Sequence, residues 1–582
     1  MIVRRRGQKA HRYTESPVLQ LALQGWRSRM VGVVLMLAFA ALIARAFYLQ
    51  IINNGFLQEK GESRYLRDLE VSASRGKITD RHGDLLAVST PMKSIWAIPA
   101  DARQIKPLDK QQLAKLLQMD GRELDGKLAS DKGFAYLKRQ VPPDLADKVA
   151  ALKLPGIHQE QEFRRYYPTG EMTAHMVGFT GVDDKGLEGV ELAFQNALVG
   201  MPGSRSVIKD RRGQIVEDVV AMKPPRDGKE IRLALDAKIQ YLAYSTLKAV
   251  IADYKAKAGG VVVLDARNGE ILALVNFPTY NPNNREALSG AQLRNRAVTD
   301  TYEPGSTLKP FTAALALDKG AFRFDSVVNC APGRLTIGSA TISDAHPHGA
   351  LTVAQVIQKS SNVGVSKMAL TFPAKDMWDM LDAVGFGQAP RLGFPGEVGG
   401  RLRAWKNWRP IEQATMSYGH GISVSLIQLA RAYTVFARDG ELIPLSLTKV
   451  DEAGIKGRQV FSAQTAREVR AMLEMAVQPE GTAPKARVAG YRVAGKTGTA
   501  YKIEGSVYVK KYVASFVGLA PVSDPRLIVA VMIDEPTAGG HYGGDVAGPA
   551  FSQIMGGALR TLGVPQDAPV QVAQLSTDKE KL

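Results

Sequence analysis

Tyr302-Glu303-Pro304-Gly305-Ser306-Thr307-Leu308-Lys309-Pro310-Phe311 reads as a turn feeding a helix. Pro304-Gly305 is a turn pair. Phe311, Ala314 and Leu315 fall on one face at helical spacing, and Lys319-Gly320 supplies a basic last turn with its glycine stop. Ser306 then stands at the helix N-terminus, and Lys309 lies one turn on, so both side chains project from the same face. Such a pair can serve as nucleophile and base. A serine hydroxyl is a weak nucleophile until an amine takes its proton, and a partly desolvated amine is neutral enough to take it. The spacing alone says little, because Ser74/Lys77, Ser206/Lys209 and Ser245/Lys248 repeat it.

Its company says more. Ser360-Ser361-Asn362 and Lys496-Thr497-Gly498-Thr499 follow, giving S-x-x-K, S-x-N and K-T-G in one order. Around them, 236–256 reads as a helix with Ile239, Leu242, Ala243, Leu247 and Val250 along its apolar side. Two strands, 260–264 and 271–275, flank the hairpin signal Asp265-Ala266-Arg267-Asn268-Gly269. Near the end, 513–519 and 527–533 read as two more strands joined by a turn over 521–525, and 550–562 as a closing helix. Helix, strands, a largely helical middle and strands again imply an α+β domain, an antiparallel sheet with helices packed against it, over 226–565. The K-T-G-T run fits an edge strand lining a cleft, and 566–582 reads as a loose polar tail.

With 582 residues the chain has room for a membrane segment and two or three folded domains. The formal charge of +18 could suit nucleic acid, but no nucleic-acid motif accompanies it, and a basic surface facing anionic lipid or an anionic polymer is the plainer reading. Cys330 is the single cysteine, which excludes an intramolecular disulfide and leaves the compartment open; it reads as a core residue. Residues 1–29 are a basic leader, and 30–52 an apolar run spanning about 35 Å, enough for a bilayer. Basic flanks stay cytoplasmic, so the bulk of the chain is expected outside the cytoplasmic membrane. Ala44-Arg45-Ala46 could mark a cleavage site, but the apolar run continues past it, so an uncleaved anchor is expected. Residues 53–225 form a mixed α/β pedestal whose two marked segments, beginning at Arg75-Gly76 and running from Arg165 to Glu191, show no catalytic arrangement; His175 is expected to be a structural hydrogen-bonding group. Asp344, His346 and His348 could be drawn as metal ligands, but nothing completes the set and a polar loop is the expectation, with no metal and no cofactor.

The chain resembles the class B penicillin-binding proteins, monofunctional D,D-transpeptidases of bacterial cell-wall synthesis. The leader and anchor, Arg75-Gly76 to Asp80-Arg81, Gly189-Val190-Glu191 and Tyr302 to Ser306 carry the likeness along nearly the whole chain. Ser417-Tyr418-Gly419-His420-Gly421, running on to Tyr433, and Val517 to Pro521 look most like the division-specific, FtsI-type branch of Gram-negative bacteria. His420 stands where many relatives carry tyrosine.

The resemblance implies a peptidoglycan stem peptide ending in D-Ala-D-Ala as substrate, β-lactams as ligands, an FtsW-type glycan polymerase and other divisome proteins as partners, and an inner-membrane, single-pass protein with its catalytic domain periplasmic. Ser306 would attack the penultimate D-Ala carbonyl and Lys309 accept its proton, with Lys496 as the second cation that depresses the Lys309 pKa. Ser360 would pass a proton toward the leaving amine, and Asn362 would offer its amide to the lysine and the substrate backbone. Lys496, Thr497 and Thr499 suit a terminal carboxylate, Gly498 would let substrate lie against the strand, and backbone N–H groups of Ser306 and Thr499 would form the oxyanion hole. An elongation-type transpeptidase, a serine β-lactamase or β-lactam sensor, a D,D-carboxypeptidase and a non-catalytic division scaffold are the rival readings. No glutamate between Asn362 and Lys496 has Asn four residues on, which disfavours a class A β-lactamase, and three intact motifs disfavour the scaffold.

Overall fold

The computed structural model describes residues 25–56, 66–131, 133–209, 215–450, 455–505 and 507–568. The basic leader up to residue 24 and the tail beyond 568 therefore lie outside the described residues. The chain divides into two compact units.

The first unit combines the N-terminal part up to Val71 with Pro202–Pro224. It holds one apolar helix, Gly25–Phe47, which runs on through a π turn over Tyr48–Ile52. The whole span is long and apolar enough to cross a bilayer. Its large side chains, Phe39 and Leu42 among them, are exposed, as lipid-facing residues would be. The unit also holds a three-stranded antiparallel sheet of Leu66–Val71, Gly203–Lys209 and Ile215–Lys223, with the second strand in the middle.

The second unit, Ser72–Met201 with everything from Pro225, contains the rest. In its N-terminal part the long strand Leu85–Ala97 pairs antiparallel with Ala135–Val141 and Ile157–Tyr166. Ile95 and Leu137 on the strands meet Leu113, Leu117 and Leu128 from short helices in a separate small core. The two segments marked in the sequence come together at Glu191. Glu191, wholly buried, takes the Arg75 guanidinium on one carboxylate oxygen at 2.6 Å and the Arg165 guanidinium on the other at 2.6 Å. Both arginines spend further N–H groups on backbone oxygens of Asp184, Glu191 and Gly76, so the buried charges are hydrogen-bonded as well as paired. His175 is buried and its Nε2–H donates to Gln292 O at 2.7 Å. Burial holds its pKa down to about 4, so it is neutral at ordinary pH.

The C-terminal part is built on one five-stranded antiparallel sheet. We label its strands β1 (Ala258–Asp265), β2 (Ile271–Phe277), β3 (Ala494–Glu504), β4 (Val507–Ala520) and β5 (Leu527–Asp534), in the spatial order β2-β1-β5-β4-β3. Alternation along β1 decides both cores. Val261 and Val263 join Phe516, Val531 and Phe551 on one face, whereas Val262 and Leu264 join Phe311, Leu426 and Tyr433 on the other. With both faces covered the strand reads as a continuous apolar run.

Helices α1 (Ala237–Asp253) and α5 (Gly543–Thr561) cover the first face. Asp236 caps α1, its carboxylate accepting the N–H groups of Lys238 and Ile239. The helical layer on the second face includes α2 (Lys309–Asp318), α3 (Val353–Lys359) and α4 (Asn362–Ala369). The closing helix starts seven residues before the expected Ala550. Gly543 and Gly544 look like loop residues in the sequence, yet a Cβ on Gly543 would stand 2.3 Å from Ser515 O and 2.4 Å from Gly498 O. The glycines are there to let the helix start touch the sheet. Pro549 inside α5 releases the Asp545 carbonyl from its helical bond, and the Tyr254 hydroxyl donates to that carbonyl at 2.9 Å.

Candidate active site

The Tyr302–Phe311 stretch forms a 3₁₀ turn, Gly305–Leu308, that hands over to α2 at Lys309. The Lys309 N–H closes an i to i+3 bond on Ser306 O. In 3₁₀ geometry, side chains three apart eclipse one another, so the Ser306 and Lys309 side chains leave the backbone on one line. Two neighbours fix the turn. The Tyr433 hydroxyl donates to Thr307 O at 2.8 Å. Gly305 N–H donates to Gly419 O at 3.2 Å, where Gly419 has a φ of 87° and a Cβ would sit 2.2 Å from Gly305 O. This close approach accounts for glycine in the Ser417–Gly421 stretch.

Ser306 is partly exposed and Lys309 is buried completely. The Lys309 ammonium nitrogen donates to Ser360 Oγ at 3.0 Å and, more closely, to Ser360 O. Ser360 ends α3 in the left-handed region, φ 60° and ψ 40°, a conformation costly for serine and held only where its surroundings require it. That twist turns both oxygens of Ser360 toward Lys309. Burial first and the charge of Lys496 second push the Lys309 pKa well below that of an ordinary lysine. Lys496 is equally buried, and burial lowers its pKa to about 7.

Lys496, Thr497, Gly498 and Thr499 lie on β3, the edge strand, opposite Val517, Phe516, Ser515 and Ala514 of β4. Alternation divides the motif between two faces. Lys496 and Gly498 point toward the Ser306 turn. On the Gly498 side a Cβ would stand 2.8 Å from Pro304 O and 3.0 Å from Thr307 Cγ2. The glycine is thus required by the turn that carries Ser306. Thr497 and Thr499 face the start of α5: Thr499 Oγ1 accepts Gly543 N–H at 3.0 Å, and the Thr497 hydroxyl donates to Thr482 Oγ1 at 3.2 Å. Lys496 Nζ reaches back to Thr497 Oγ1 at 3.2 Å.

Asn362 opens α4 and donates its side-chain amide to Ser343 O at 2.9 Å, away from Lys309. Three groups near the site carried no catalytic signal in the sequence. Glu303, buried, accepts Gly421 N–H at 2.8 Å and the Tyr508 hydroxyl at 3.1 Å. His420 Nδ1 lies 3.9 Å from Glu303, and burial with the nearby Lys309 charge keeps its pKa down to about 4. Asp344, weighed in the sequence as a metal ligand and expected in a polar loop, accepts from Ser361 and Val363. His541 stacks on Tyr512 with ring centres 3.9 Å apart, and Cys330 is a core residue.

A chain with an apolar helix long enough to cross a bilayer, a mixed α/β N-terminal part and these three motif segments around a five-stranded sheet has the architecture of a penicillin-interacting transpeptidase. Residues 259–556 match the penicillin binding protein transpeptidase domain, and residues 70–233 the penicillin-binding protein dimerisation domain. The chain is 45% identical to the probable peptidoglycan D,D-transpeptidase PenA of Neisseria gonorrhoeae over 95% of both chains. It is 44% identical to the peptidoglycan D,D-transpeptidase FtsI of Escherichia coli (strain K12) over 93% of both. The apo structure of the TP domain of Burkholderia pseudomallei penicillin-binding protein 3 is similar at 53% identity and a TM-score of 0.54, covering 58% of this chain and 98% of that one. A peptidoglycan synthetase from Bifidobacterium adolescentis covers 87% of this chain and 98% of its own at 26% identity and a TM-score of 0.69. The chain belongs to the class B penicillin-binding proteins, the family of peptidoglycan D,D-transpeptidases that includes FtsI and PenA.

Proposed function

We propose that this protein cross-links the stem peptides of septal peptidoglycan through an acyl-enzyme on Ser306. The observation that carries the reading is Lys309: a buried lysine one 3₁₀ turn from an accessible serine, hydrogen-bonded to Ser360, its pKa pushed well below that of an ordinary lysine by burial and by Lys496. Neutral Lys309 takes the proton as Ser306 Oγ bonds to the carbonyl carbon of the penultimate D-Ala. The Ser306 and Thr499 N–H groups stabilise the oxyanion. Ser360, already on Lys309, passes the proton to the departing D-Ala amine. An amine of a neighbouring stem peptide then takes the acyl group and returns the serine its proton. A β-lactam enters the same path and stays. Lys496 in its charged form, with the adjacent hydroxyls, receives the terminal carboxylate.

The basic leader stays cytoplasmic, the apolar helix spans the inner membrane and the catalytic domain is periplasmic. The pedestal is the docking surface for an FtsW-type glycan polymerase and other divisome proteins. The test is gel labelling of the full chain in membranes with a fluorescent penicillin. Stable labelling that Ser306→Ala abolishes is the expected result. Rapid loss of label would mark a β-lactamase, and absence of label on folded wild type a non-catalytic scaffold.

A further inference from the structure

The two lysines of the site sit in a setting poor in negative charge. Facing Lys309 are Lys496 from β3, His420 from the loop after Tyr418, the Ser360 hydroxyl, and one carboxylate, Asp344. Asp344 follows the short strand Ala340–Ser343 and is tied to the S-x-N segment at several points. Its Oδ2 accepts the Ser361 hydroxyl at 2.7 Å and its Oδ1 accepts Val363 N–H at 2.9 Å. The preceding Ser343 O accepts the Asn362 amide at 2.9 Å. Ser361 Oγ in turn caps Gly364 N–H at 2.9 Å, so the carboxylate lies at the N-terminus of α4, where the helix dipole favours it. Cys330 Sγ, 3.6 Å from Ser361 Oγ, closes the far side.

We propose that Asp344 is a positioning residue of the acylation machinery: it clamps the Ser360–Asn362 turn, with Ser360 left-handed, and supplies a counter-charge to Lys309. The proposal rests on Ser306 and Lys309 acting as nucleophile and base. The direction of the electrostatics agrees with it. Burial and Lys496 lower the Lys309 pKa, whereas the Asp344 charge raises it. Without that charge, Lys309 becomes neutral at lower pH, and the acid limb of the acylation profile moves down. Without the clamp, Ser360 drifts off Lys309 and the plateau falls.

The two effects separate in a set of variants of the full chain in detergent, followed by the second-order rate of fluorescent-penicillin acylation from pH 5 to 10. Asp344→Asn keeps the shape but loses the charge and one of two acceptors. We expect its acid limb about one pH unit lower and its plateau about tenfold lower. Asp344→Glu keeps the charge and so the limb, with a reduced plateau. Ser361→Ala removes a clamp bond with no change of charge, and lowers the plateau at an unmoved limb. An acid limb for Asp344→Asn that coincides with wild type, or equal falls in plateau and in melting temperature across all three variants, overturns the proposal in favour of a structural loop. Ser306→Ala that still labels would instead overturn the assignment of the nucleophile.

Discussion

The Gly498→Ala substitution tests whether this glycine serves the substrate or the Ser306 turn. An added methyl would stand 2.4 Å from Ser515 Oγ, 2.8 Å from Pro304 O and 3.0 Å from Thr307 Cγ2. The serine hydroxyl can swing aside. Pro304 O cannot, because it is backbone and already accepts the Thr307 hydroxyl at 2.7 Å. Ordinary contact begins at 3.4 Å, so strand and turn must part by about 0.6 Å, 3.4 minus 2.8. If a displacement of about 1 Å at a catalytic group costs about 100-fold, 0.6 Å scales to a loss of about 15-fold. The expected signature is a fall in the first-order acylation rate constant at saturating fluorescent penicillin, read by quench and gel, with the melting temperature only slightly lowered. Adding Ser515→Ala removes the nearest clash and leaves Pro304 O, so rescue is partial. A variant that acylates at the wild-type saturated rate but binds more weakly would refute the argument and return Gly498 to the role of a substrate platform.

Glu191→Ala leaves the Arg75 and Arg165 guanidiniums buried without their shared carboxylate, so the unfolding free energy of the structure around them should drop by about 3–5 kcal/mol; limited proteolysis in a urea series reads it, and an unchanged midpoint would show the triad to be dispensable. For Lys496, burial lowers the pKa to about 7, so the cation is present below and lost above that pH. Penicillin acylation should therefore decline as pH rises through about 7, with apparent values belonging to the coupled lysine pair. Lys496→Arg, charged throughout, removes this descending limb at a plateau about tenfold lower; a limb that survives in the arginine variant assigns it to another group.

Much of the catalytic domain was legible in the sequence because its signals are local. The turn pair before Ser306, the glycine stop after Lys319 and the hairpin residues between β1 and β2 each act within a few positions. The strand runs 260–264, 513–519 and 527–533 fall inside β1, β4 and β5. What stayed hidden depends on neighbours far along the chain. β4 begins at Val507, earlier than its apolar run, because the outer ends of β3 and β4 form an exposed ribbon where Glu504 of β3 pairs with Lys511 of β4 at 2.6 Å. The glycines that open α5 imitate a loop unless Ser515 O and Gly498 O are known to lie against them. Asp344 and the variable position Ser361 within S-x-N gave no sign of acting together, since what links them is a 2.7 Å bond across a fold contact.

The same distinction explains how three segments so distant in sequence build one site. Lys309 is fixed by a helix and Lys496 by an edge strand, two rigid elements whose relative placement is set by packing on both faces of the sheet. Neither lysine has room to leave, as both are buried completely. Burying an ammonium is costly unless it loses its proton or finds hydrogen-bond acceptors. Lys309 finds them in the left-handed Ser360, and the Asp344 and Ser361 bonds hold the start of α4 behind it. The Lys309 pKa is thus pushed down by burial first and by the Lys496 charge second, both set by how helix and strand pack, and substitutions that loosen the helix-to-strand contact should affect acylation before they affect folding.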